Sequence, residues 1–141
     1  MRYWIDPVSA EVAEVGRTGG FTQGNHSQDS RLRQLGPGDW LVFCSPRPAA
    51  DGGASELAFT AIGQVTGVEP YQVWESDDSR PWRLAVVFEE ASAVSVQSLT
   101  GSLLDLGDLQ QQRDPRLRQL VRATRADMER IAEAMGVKLD G

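Results

Sequence analysis

Between Gly16 and Asp39 the chain reads GRTGGFTQGNHSQDSRLRQLGPGD, with its sole histidine, His26, in an amide-rich knot directly behind Phe21. Thr22, Gln23, Asn25 and the glycine-exposed backbone amides offer donors and acceptors without net charge. Side-chain amides of this kind pair with nucleobase edges in both directions. A second stretch, EPYQVWESDDSRPWRL, sets Tyr71, Trp74 and Trp82 in polar, proline-containing sequence. Large aromatics placed there make platforms for a flat ligand, since stacking is insensitive to base identity. Trp4 and Trp40 stand in strand-like sequence and are expected in the core. Aromatic faces plus uncharged amides suit a planar neutral heterocycle better than a phosphate.

Catalysis needs a different inventory. Cys44 or a serine would attack, with His26 as base and a carboxylate to orient it. Cys44, however, lies inside the apolar run LVFCS, the setting of a small buried thiol. There is no G-x-S-x-G elbow, P-loop or dinucleotide fingerprint. One cysteine and one histidine cannot fill a zinc shell, so neither metal nor cofactor is expected. The reading is therefore a non-enzyme. An enzyme using His26 on a nucleotide-like small molecule is the alternative, and a pocketed interaction module without a nucleic-acid role is the second.

Charge narrows the partner. Fourteen basic against twenty acidic residues give −6, which disfavours bulk duplex binding. Thirteen of the basic residues are arginines, the planar, bidentate readers of phosphate. Arg17, Arg47, Arg80 and Arg83 are expected to rim a pocket mouth and touch flanking phosphates.

The elements that must position these residues follow from pattern. Strands are expected near 2–7, 39–45, 57–67 and 83–90, the clearest being the continuously apolar DWLVFCS. Ser9 caps a short helix that Gly16 stops, SRLRQL makes a helical turn, and Thr124 caps a final helix closed by Gly136. Residues 99–123 read as short helical pieces around Pro115. The sum is one α+β domain over 1–141, a curled sheet or small barrel flanked by helices. A single cysteine fits a reducing, cytoplasmic setting. No run reaches the ~18 apolar residues of a membrane helix, and MRYWIDPVSAE has no signal-peptide core.

Taken in order, MRYWIDPVS, GGFTQGNH, LRQLGPGDWLVFCSPR, FTAIGQV, EPYQVW, PWRLAVVF and DMERIAEAMG resemble the small bacterial EVE-domain proteins of the PUA-like superfamily. That family is similar in fold to YTH domains, which hold a methylated adenine in an aromatic cage. The resemblance implies a PUA-like bent sheet and a reader of modified bases in DNA or RNA, with a nuclease or restriction protein as a potential partner and no membrane. It places Asp6, Phe21 to His26, Ser45, Pro46, Arg47 and the Tyr71–Trp82 region around the pocket. Asp6 stands where many relatives carry asparagine, so an acceptor replaces an amide. Trp74 stands where relatives often lack an aromatic, and 100–123 lacks their Trp-Gly element.

Overall fold

In a computed structural model the described residues are 1–24, 30–48, 52, 55–99 and 120–139. They form β1 (Tyr3–Pro7), α1 (Ala10–Gly19), β2 (Phe21–Gln23), a 3-10 turn (Leu32–Gln34), β3 (Trp40–Arg47), β4 (Glu56–Val65), β5 (Tyr71–Gln72) and β6 (Trp82–Phe88), then β7 (Val94–Ser95), α2 (Val96–Leu99), β8 (Val121–Ala123) and α3 (Arg125–Met135). The four expected strands are present as β1, β3, β4 and β6. The expected pieces around Pro115 lie outside the described residues.

The sheet runs β2-β6-β4-β3-β1-β8, with β1 parallel to β3 and the other pairs antiparallel. β4 pairs with β7 through Ala58 and Phe59 and with β6 through Gly63 to Val65. A bulge lies between these two halves: Phe43 faces Ala61 and Cys44 faces Phe59, leaving Thr60 as the extra residue. Such an insertion bends the strand and shifts its side-chain parity. The curl is large. β2 and β1 are four steps apart in the sheet, yet the Thr22 hydroxyl donates to the Asp6 carboxylate. That makes the sheet a partly closed, PUA-like barrel.

Alternation along each strand divides the interior in two. Tyr3, Ile5, Trp40, Val42, Cys44, Phe59 and Ile62 pack on the outer side against Met128, Ile131 and Met135 of α3. Trp4, Leu41, Phe43, Ala61, Leu84 and Val86 face inward, where Ala13 of α1 and Leu32 and Leu35 cover them. DWLVFCS is continuously apolar because both faces of β3 are buried.

Ser9 caps α1, its hydroxyl accepting from the Val12 amide at 3.2 Å. Thr124 does the same for α3 through Asp127, and Gly136 closes α3 at φ 82°. The expected stop at Gly16 is corrected: α1 continues to Gly19 and ends on Gly20 at φ 79°. Gly16 is a glycine for closeness, since a Cβ there would sit 2.4 Å from the Phe21 carbonyl oxygen. At Gly19 it would sit 2.3 Å from the Phe21 ring. The glycines around Phe21 seat that ring beneath the helix end.

Candidate functional site at the Asp6 end of the barrel

Asp6 is the one acid in the inward row of β1, and it is almost wholly buried. One carboxylate oxygen accepts from the Thr22 hydroxyl and the other from Arg31 Nη2. The same Arg31 nitrogen reaches the Pro7 carbonyl at 2.8 Å. Burial raises the Asp6 carboxyl above its ordinary value, against the opposing pull of Arg31 and the Thr22 hydrogen bond.

Trp82 belongs to the same end. On β6 Leu84 faces inward opposite Thr22, and Trp82, one inward position further along, packs half-buried against the inner core. The Gly24 amide donates to the Trp82 carbonyl at 2.9 Å, so the Gly24–Asp29 stretch starts beside it. Asn25 and His26 fall in that stretch and lie outside the described residues.

The remaining expected residues sort into other places. Phe21, Gln23, Tyr71 and Arg83 share the opposite, outer face of the ribbon formed by β2, β6 and β5, because Arg83 pairs with Gln23 on one side and Tyr71 on the other. Arg83 stacks its guanidinium 4.0 Å over the buried Phe21 ring and donates to Gln23 Oε1 at 3.0 Å. Arg17, Ser45, Pro46 and Arg47 line a separate hollow of about 130 Å³ between α1 and the Thr60 bulge. There Ser45 is hydrogen-bonded to Thr60 at 3.0 Å.

The polar, proline-containing stretch forms a hairpin. Tyr71 and Gln72 pair with Arg83 and Trp82, and Ser76 bridges Ser79 across a turn at Asp77–Asp78. Trp74 stands on it at 65% exposed, and Tyr71 and Arg80 of the same hairpin are exposed too. Trp74 and Tyr71 are thus on the hairpin while Trp82 turns inward.

Three of the four expected phosphate contacts already hold acids: Arg17 with Glu14 at 2.6 Å, Arg47 with Glu56 at 3.0 Å, and Arg83 with Glu75 at 3.5 Å. Burial pushes the Cys44 thiol up to about 12, so the group is a neutral thiol near pH 7. Among the described residues no cluster of three His, Cys, Asp or Glu side chains could hold a metal, and no helix is long and apolar enough to cross a membrane.

Arg31 is the site residue that pattern reading missed. It sits in SRLRQL, where nothing separates it from twelve other arginines. The usable signal was Asp6 itself, because a buried carboxylate needs a cation or several donors.

An EVE-domain family model matches residues 2–136. The chain is 46% identical over 103 residues to a UPF0310 protein of Mycolicibacterium gilvum, covering 73% of each chain. It is 36% identical over 137 residues to UPF0310 protein msl3206 of Mesorhizobium japonicum, covering 95% of this chain and 91% of that one. It is 30% identical over 141 residues to UPF0310 protein YdcG of Bacillus subtilis, covering 99% of this chain and 95% of the relative. With a matching model over nearly its whole length and a curled sheet of the PUA-like kind, this chain belongs to the EVE-domain family.

Proposed function

We propose that the protein is a non-catalytic reader of a modified nucleobase in DNA or RNA, received at the barrel end where Asp6, Thr22 and Trp82 stand together. The supporting observation is Asp6. A barrel that had only to fold would finish its inner layer with an apolar residue, and here the inner face carries a buried carboxylate as well as a half-buried tryptophan packed on its core. Each carboxylate oxygen carries two lone pairs, and among the described residues each accepts one hydrogen bond. The Thr22 hydroxyl spends its proton on Asp6, so it too faces a ligand as an acceptor. An acceptor-rich edge selects a base that presents an N–H, such as an exocyclic amine with a single methyl group. It rejects one that offers lone pairs there. Trp82 supplies a stacking face, and any strand cleavage belongs to a separate nuclease or restriction protein.

The test is a binding screen of modified nucleosides and of oligonucleotides carrying them, read by tryptophan fluorescence. A preference for donor-bearing bases, reordered by Asp6→Asn and weakened by ~1–3 kcal/mol in Trp82→Ala, is expected. If every modified base binds no better than its unmodified parent, the reading fails.

A further inference from the structure

We infer that the surface formed by residues 1–4, 30–36 and 120–123 is a track for the phosphate backbone of a single nucleic-acid strand whose base sits at the Asp6 end. The inference rests on the base-reading proposed above. These three segments carry Arg2, Arg31, Arg33 and Arg122 and no acid, in a chain whose net charge is −6. Asp39, a nearby acid, is buried: it accepts from the Arg2 amide at 3.0 Å, Trp4 Nε1 at 3.1 Å and the Gly36 amide at 3.0 Å, and pairs with the Arg2 guanidinium at 3.6 Å. The expected rim arginines Arg17, Arg47 and Arg83 each pair with a glutamate at the surface, whereas the acids that Arg2 and Arg31 pair with, Asp39 and Asp6, are buried.

Geometry makes the patch a line. Arg31 is anchored on Asp6 at the barrel end. From there the chain runs through Leu32 and Leu35, both buried on the inner core, with Arg33 exposed between them. At Gly36 it arrives beside the Arg2 guanidinium, one nitrogen of which lies 3.7 Å from where a Gly36 Cβ would stand. The segment therefore follows β1 from Asp6 back to Arg2, about 13 Å at ~3.3 Å per residue. That length spans roughly four phosphates of a stacked strand.

The far end is prepared for anions. Arg2 and Arg122 lie 5.5 and 5.4 Å from the Trp4 ring centroid, so their guanidiniums are at most about 11 Å apart. Stacking on the indole fixes each guanidinium plane while leaving N–H edges for phosphate oxygens. Arg122 is exposed and makes no ion pair among the described residues.

The probes are fluorescein-labelled, unmodified 12-nucleotide single strands, as DNA and as RNA, titrated by anisotropy at several salt concentrations. Wild type should bind weakly and lose affinity with salt. The variant Arg33→Gln/Arg122→Gln should bind about tenfold less well at low salt, with its log–log salt slope shallower by roughly 1.4. The variant Arg17→Gln/Arg47→Gln should keep the wild-type slope, and melting curves should show all three folded. No strand binding by wild type, or an unchanged slope in the Arg33/Arg122 variant, overturns the track. Free modified nucleosides carry no phosphate and should bind that variant as they bind wild type. Strand binding with the expected slope but no preference for any modified base would sink the base-reading and leave the track standing; the reverse would sink the track alone.

Discussion

The two faces of the sheet are built to different rules. Toward α3, Ile5, Trp40, Val42, Phe59 and Ile62 meet Met128, Ile131 and Met135 in an apolar layer. Toward the barrel interior, Leu41, Phe43 and Leu84 begin in the same way, but the rows end in Asp6, Thr22 and Ser45, all buried. The same strands supply both faces, so neither propensity nor burial separates them. The difference lies in what happens when an atom is removed. The outer face loses packing, whereas the inner end loses the partner of a buried polar group, which is then left desolvated and unpaired.

The comparison is sharpest at Trp40, which is fully buried on the outer face and whose indole N–H finds no partner among the described residues. Trp40→Ala should cost ~3–5 kcal/mol, read as a lowered urea midpoint. Arg31→Ala should come next. It strips the cation from Asp6, and because Arg31 is partly open to water the cost is roughly 2–3 kcal/mol, below that of a wholly buried pair. Adding Asp6→Asn to Arg31→Ala should return part of that loss; strict additivity of the two changes would show that the pair is not coupled.

A smaller effect separates the faces by pH. A carboxyl raised on folding contributes stability below its unfolded value, 3.8, and that contribution is lost as pH rises through the folded value. The melting temperature of Asp6→Asn should therefore gain on wild type as pH climbs across that window. Trp40→Ala should track wild type in parallel. An Asp6→Asn melting temperature that falls further behind wild type as pH rises would contradict the raised carboxyl.

The least expected change in stability is at Trp74. At 65% exposed on the hairpin it belongs to neither face, and Trp74→Ala should shift stability by no more than ~0.5 kcal/mol. If the hairpin folds over a bound base, the same substitution should weaken that binding by ~1–3 kcal/mol. A Trp74→Ala protein less stable than Trp40→Ala would reverse the two roles.

Much of this arrangement is local and can be read along the chain. The four long strands have strong apolar runs, and Ser9, Thr124 and Gly136 mark helix ends through bonds that span three or four residues. The ordered motifs likewise identify the family, because they require only the chain's own sequence. The short strands β2, β5, β7 and β8 carry no such signal: two or three residues hold no periodicity, and each exists because a distant strand pairs with it.

The site shows the same division. Residue types in the Phe21–His26 stretch and around Trp82 announced polar and aromatic surface, but not which side of the sheet each would take. A period of two sends Phe21 and Thr22 to opposite faces, so neighbours in sequence part company in space. Conversely, Asp6, Thr22 and Arg31 meet from three separate elements. Their union depends on a bulge at Thr60 and on a sheet curled enough to bring its first two strands together. Composition and local pattern determined which strands and helices this protein could make. Only tertiary structure decided which carboxylate is buried, which arginine answers it and which face an aromatic ring presents, because those choices are set by pairings across tens of residues.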